Sequence, residues 1–108
     1  MRLYHNPRCS KSRQALSLMN ESGFEFEEYR YLDLGIHADD LEILSNLENV
    51  IRTADLESNE SIDLSNNIEV ARLLKSNPRV LQRPILIRGE KAVIGRPPEE
   101  IITLLHEA

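Results

Sequence analysis

The sequence predicts an α/β fold: β-α-β, then a helical insert, then β-β-α, assembled on a four-stranded mixed sheet. Three observations carry this expectation. An apolar start passes through a turn into helical spacing and then into an aromatic run; two short β-rich runs flank Gly89-Glu90; and Pro97-Pro98-Glu99-Glu100 opens a final helical pattern. A chain of 108 residues can bury one modest core but not two. One domain over residues 1–108 is therefore expected, with the insert at about 36–78.

In chain order, Leu3-Tyr4 reads as a strand end, Asn6-Pro7 as a turn, and Ser10 to about Asn20 as a helix that gathers Ala15, Leu16, Leu18 and Met19 on one side before Ser22-Gly23 stops it. Phe24 to Leu32 reads as a strand from its aromatics. Its alternation slips, with Phe24 and Phe26 in one phase and Tyr29 and Tyr31 in the other, as a bulge or a strand buried on both faces would produce. Strand, helix, strand in this order predicts a parallel pair joined by a right-handed crossover.

Asp33 to Gly35 breaks the pattern. Leu44, Leu47 and Ile51 then recur at helical spacing and predict a helix over roughly 39–48. The polar, acidic stretch Thr53 to Asn67 predicts loop with short helical turns. Ile68, Ala71 and Leu74 predict a further helix, ended by Asn77-Pro78 because proline disfavours helical geometry in its predecessor. Residues 84–88 and 91–94 form a hairpin signal. Beyond it, Pro97 and Pro98 suit a first helical turn, Glu99 and Glu100 its positive end, and Ile101, Ile102, Leu104 and Leu105 a buried stripe.

The hydrophobic fraction of 41% suits a globular chain, and the net charge of −5 argues against a nucleic-acid or anionic-membrane binder. No long apolar run could span a bilayer, and the N-terminus lacks a charged-then-apolar signal pattern, so a cytoplasmic protein is expected. The single cysteine, Cys9, forbids an internal disulfide, so any disulfide chemistry uses an external thiol.

Cys9 lies at the strand-to-helix turn, flanked by Arg8 and Ser10 rather than by the apolar neighbours of a core cysteine. Amides at a helix start are unpaired and partly positive, so those of Ser10, Lys11 and Ser12 could stabilise a thiolate or a bound oxyanion, with cationic help from Lys11 and Arg13. Such surroundings convert a thiol into a nucleophile. Competing chemistries fit less well. Ser12 replaces the second cysteine of a dithiol motif, and Ala15 stands where a Cys-x5-Arg phosphatase loop needs arginine. Cys9 with His5, His37 and His106 has no metal-ligand spacing, and a Cys9–His5 hydrolase lacks a carboxylate orienter. A histidine at a strand end, such as His5, is commonly just hydrogen-bonded. Arg83 and Arg96 each precede a proline at the hairpin ends; arginines there could be solvated, or could grip a tetrahedral oxyanion through paired hydrogen bonds.

The stretch His5-Asn6-Pro7-Arg8-Cys9-Ser10-Lys11-Ser12-Arg13, with Gln82-Arg83-Pro84-Ile85 and Ile94-Gly95-Arg96-Pro97-Pro98-Glu99, resembles the active-site blocks of the glutaredoxin-dependent arsenate reductase family and its close relatives of uncertain substrate. The resemblance covers both ends of the chain and weakens in the middle. It implies a thioredoxin-like fold and a single-cysteine oxidoreductase: the Cys9 thiolate attacks arsenate, glutathione as co-substrate displaces the adduct, and glutaredoxin resolves the mixed disulfide, with no bound cofactor. By the same resemblance, His5 helps depress the Cys9 pKa, Ser12 hydrogen-bonds the thiolate, Arg83 and Arg96 bind the anion, and Arg83-Pro84 is cis. The family's third arginine falls at Leu56, with Arg52 one helical turn earlier as a further anion-binding candidate and acidic Asp55 and Glu57 flanking the gap. A redox-sensing regulator of the Spx type would need cysteine at position 12. The alternative of a different class is a non-catalytic thioredoxin-like module that keeps the motif but binds another anion or a protein.

Overall fold

A computed structural model describes residues 1–56 and 62–107. Four strands, β1 (Arg2–Tyr4), β2 (Glu27–Tyr29), β3 (Ile85–Arg88) and β4 (Lys91–Ile94), form one mixed sheet in the order β2-β1-β3-β4. β1 and β2 run parallel with Tyr4 opposite Tyr29, while β3 is antiparallel to both β1 and β4. The helices are α1 (Ser10–Ser22), α2 (Tyr31–Leu34), α3 (Leu41–Ser45), α4 (Asn67–Ser76) and α5 (Glu100–Leu105), with 3-10 turns at Ala38–Asp40, Thr53–Asp55 and Pro78–Val80.

Side chains alternate across the sheet and so divide the core into two layers. Leu3 and Leu86 point to α1 and α5, where they meet Ala15, Met19, Ile101, Leu104 and Leu105. Tyr4, Ile85 and Ile87 point the other way, onto Tyr31, Leu44, Val70, Leu73 and Leu74 from the segment between β2 and β3. That second layer is fastened by a buried polar cluster. The Tyr4 hydroxyl donates to Asp40 Oδ2 at 2.7 Å, and Arg2 Nη1 reaches both Asp40 oxygens at 2.9 Å.

Four expectations need correction. The strand expected over Phe24–Leu32 is only Glu27–Tyr29, an edge strand whose two glutamates are exposed. The slipped phase has a simple origin: Tyr31 belongs not to the strand but to the next helical turn, which buries it from another direction. The helix expected over 39–48 ends at Ser45 and is entered through a 3-10 turn. In α4, Ile68 is 70% exposed, and Val70, Leu73 and Leu74 carry the buried face instead. A strict threefold spacing drifts by about 60° per step around a helix, so the series 68, 71, 74 reaches the core only at its last member. Finally, α5 starts at Glu100, and Pro97 and Pro98 lie in the turn leading into it. The turns expected between Thr53 and Asn67 are found at Thr53–Asp55, while positions 57–61, including Glu57, lie outside the described residues.

Two glycines are dictated by geometry. Gly23 ends α1 in the left-handed region at φ 80°. At Gly95 an added Cβ would sit 2.8 Å from Pro84 Cγ, so this position keeps β4 tight against the residue that follows Arg83. Both Arg83-Pro84 and Arg96-Pro97 are cis.

Candidate active site

The parallel strands β1 and β2 end on the same edge, and everything that surrounds Cys9 is set from there. After β1, His5 continues the ladder by donating its amide to the Tyr29 carbonyl at 2.9 Å, which buries its ring. Asn6 then builds the turn: its carbonyl accepts from the Cys9 amide at 3.0 Å and its side-chain oxygen from the Arg8 amide at 3.0 Å. Arg13 secures the loop from outside by donating to the Pro7 carbonyl at 2.9 Å.

Cys9 is the N-cap of α1, with extended backbone at φ −96° and ψ 122°. Its sulfur stands where a serine or aspartate cap would place an oxygen. The thiol closes no capping hydrogen bond, yet the amides of Ser12 and Lys11 are aimed at it, and a thiolate is the form that accepts them. Burial is the largest single influence on Cys9 and opposes ionisation. The two amides and the Arg83 guanidinium, whose positive charge favours the thiolate, together outweigh burial and hold the thiol below its usual pKa.

His5 and Ser12 form a buried pair, with His5 Nδ1 2.7 Å from Ser12 Oγ, and Ser12 Oγ also accepts from the Asn6 amide at 2.9 Å. The resemblance gives the Ser12 hydroxyl to the thiolate; here that hydroxyl serves His5 and Asn6, and the Ser12 amide faces Cys9. Burial is the main cause that lowers the His5 pKa, so at neutral pH the ring is an uncharged hydrogen-bond partner. Ser10 and Lys11 are exposed; of the two, the Lys11 amide reaches Cys9.

A cavity of about 720 Å³ opens over the sulfur, lined by His5 and Cys9 with Arg8, Arg30, Arg52, Arg79 and Arg83, and by Asp33 and Asp55. Arg83 is the central cation. It shares the cavity with Cys9, and its Nη1 lies 2.9 Å from Asp55 Oδ2. Arg96 does not line this cavity: its Nη1 donates to the Arg83 carbonyl at 2.9 Å and so supports Arg83 from behind. Arg52 does line it, 3.8 Å from Asp55, whereas Leu56 is half-buried against the core layer of Tyr4 and Tyr31. Among the described residues no three His, Cys, Asp or Glu side chains gather as metal ligands do.

Residue-by-residue reading of the sequence overlooks Arg30, Arg79 and Tyr31. The signal for Arg30 is topological, since it follows the C-terminal end of a strand parallel to the one that leads to Cys9. Tyr31 is fully buried, and its hydroxyl, beside the Asn6 side chain, reaches hydrogen-bond geometry with no partner. Burial pushes its pKa up to about 12, against the pull of Arg83.

The mixed sheet, with a cysteine at the first helix start and an arginine preceding a cis proline, defines a thioredoxin-like protein with one cysteine at its cavity. Residues 4–104 match the model of the ArsC family, and the chain belongs to that family. It is 37% identical to an arsenate reductase of Neisseria meningitidis serogroup A, over 97% of both chains, and 33% identical to one of Haemophilus influenzae, over 95% of this chain and 97% of that one. The solved arsenate reductase from Vibrio cholerae superposes with a TM-score of 0.73 at 26% identity, over 95% of this chain and 97% of that one. No described helix is long and apolar enough to cross a membrane.

Proposed function

We propose that this protein reduces arsenate or a similar oxyanion with Cys9 as nucleophile, glutathione as co-substrate and glutaredoxin as the protein that regenerates the thiol, in the cytoplasm and with no bound cofactor. The observation that carries this reading is the Cys9 sulfur at the N-cap of α1, beneath Arg83, on the floor of an arginine-lined cavity. The arsenate reductase names of its relatives support the choice of anion.

In this mechanism Arg83 and the helix-start amides hold both the thiolate and the oxygens of the anion, with Arg52 adding charge from the same cavity. The Cys9 sulfur forms a bond to arsenic(V) as one arsenate oxygen leaves as water. The glutathione thiolate then attacks the Cys9 sulfur; the arsenic–sulfur bond breaks with its electron pair remaining on arsenic. Arsenic(III) departs as arsenite, and the two sulfurs are left oxidised as a mixed disulfide. A glutaredoxin thiol takes glutathione from Cys9 and restores the thiolate. The cavity is far larger than a tetrahedral oxyanion, which leaves room for the glutathione sulfur to reach Cys9.

The test is NADPH oxidation that depends on arsenate and is coupled through glutathione, glutathione reductase and glutaredoxin. Turnover in the natural protein and none in Cys9→Ser is the expected result. No arsenate-dependent oxidation in the natural protein would overturn the reading.

A further inference from the structure

We infer that Asp55 is an internal competitor for the anion seat, a carboxylate that a bound oxyanion must displace, and that it thereby sets which anions the cavity accepts. This rests on the proposed reading in so far as it places the anion over Cys9. The same Asp55 oxygen, Oδ2, faces two of the five cavity arginines, lying 2.9 Å from Arg83 Nη1 and 3.8 Å from Arg52 Nε. All three side chains are only partly exposed and line the same cavity as Cys9.

An oxygen held between two guanidinium groups, beside a nucleophilic sulfur, is what one oxygen of a tetrahedral anion would supply there. Asp55 is presented by the 3-10 turn Thr53–Asp55, a short element closed by the Arg52 carbonyl, which accepts from the Asp55 amide at 3.0 Å. Rotation of one side chain on that turn would vacate the seat without unfolding anything. The backbone carbonyl of Arg83 is held by Arg96 Nη1 at 2.9 Å, so the residue stays anchored at the cavity when Asp55 leaves.

An incoming ligand therefore has to displace a carboxylate that is already in place. A dianionic tetrahedral oxyanion meets this demand, because it offers more charge and more oxygens to the same two arginines. A single carboxylate only exchanges like for like. The predicted consequence runs opposite to the usual effect of losing a polar cavity residue: removal of the Asp55 charge strengthens anion binding.

The experiment measures inorganic phosphate binding by titration calorimetry in the natural protein, Asp55→Asn and Asp55→Ala, with arsenate turnover followed separately. Asn keeps the shape and a neutral acceptor for Arg83, and Ala removes both. Each variant is expected to bind phosphate about tenfold to a hundredfold more tightly, the scale of one charge-assisted contact released to the ligand. Unchanged or weakened binding in Asp55→Asn, with its melting temperature preserved, would overturn the inference and make Asp55 only a support for Arg83. The inference also falls if neither the natural protein nor Asp55→Asn binds phosphate. Tighter phosphate binding with no arsenate turnover in any protein would instead leave Asp55 as competitor and remove the reductase reading.

Discussion

At the scale of single residues, Cys9 shows how little covalent chemistry the fold has to provide. A thiol has a reference pKa near 8.5, and two backbone amides fixed by helix geometry, together with the charge of Arg83, favour its ionised form. Iodoacetamide labelling should accordingly accelerate through a midpoint below about 8.5, and Arg83→Ala should move that midpoint upward by removing a nearby positive charge. A midpoint at or above 8.5 in the natural protein would contradict the site as described. Arg52 and Leu56 give a second contrast. Because Arg52 faces the cavity and Leu56 packs into the core, Arg52→Ala should weaken phosphate binding by about tenfold. Leu56→Arg should lower the melting temperature and add no affinity; a gain in binding there would put the third cation back at position 56.

At the scale of elements, legibility follows periodicity. The hairpin of β3 and β4 is readable because two apolar runs bracket Gly89, and α1 because four apolar residues share a face with a glycine stop. β2 is shorter than its aromatics suggest: at an exposed edge, two glutamates and one buried tyrosine leave little pattern, and Tyr31 extends it only by coincidence of type. The phase of α4 is obscured because threefold spacing imitates a stripe without being one. What no period encodes is the tie between distant elements, and Asp40 is the case with the largest energetic consequence. Its carboxylate is 3% exposed and joins Tyr4 of β1, Arg2 and the turn before α3. Asp40→Ala leaves the Tyr4 hydroxyl proton without an acceptor, although its oxygen still accepts from the His37 amide, and strips one face of Arg2 of its partner, so it should cost about 3 kcal/mol. For a chain of this size that is roughly 12 °C in melting temperature. A fall of under about 3 °C by calorimetry would show that water replaces the carboxylate freely.

At the scale of the whole molecule, the site is assembled from residues far apart in sequence, which is why only part of it is readable there. Cys9, His5 and Ser12 share one stretch, and their types announce a thiolate. Arg30, Arg52, Arg79 and Arg83 come together only through the parallel β1–β2 pair and the return of the chain into β3. Their convergence opposes the charge of the chain, which is −5 overall. Around Cys9 the described cavity wall carries five arginines against two aspartates, with His5 neutral. The Debye length is about 10 Å at 0.1 M salt, so charges beyond the cavity are largely screened while those lining it are not. The local field should therefore prevail over the net charge, and two alkylating reagents of similar size can tell which does. Iodoacetate, an anion, should react with Cys9 faster relative to neutral iodoacetamide than it does with a free small thiol, by about threefold to tenfold at low salt. The ratio should fall toward the free-thiol value as salt is raised to about 0.5 M, where screening reaches into the cavity. Arg83→Ala should reduce it at low salt, because it removes a cavity cation that favours the Cys9 thiolate. Slower relative reaction with iodoacetate at low salt would mean that the acidic surface governs approach to Cys9, and the cavity would then be no anion site.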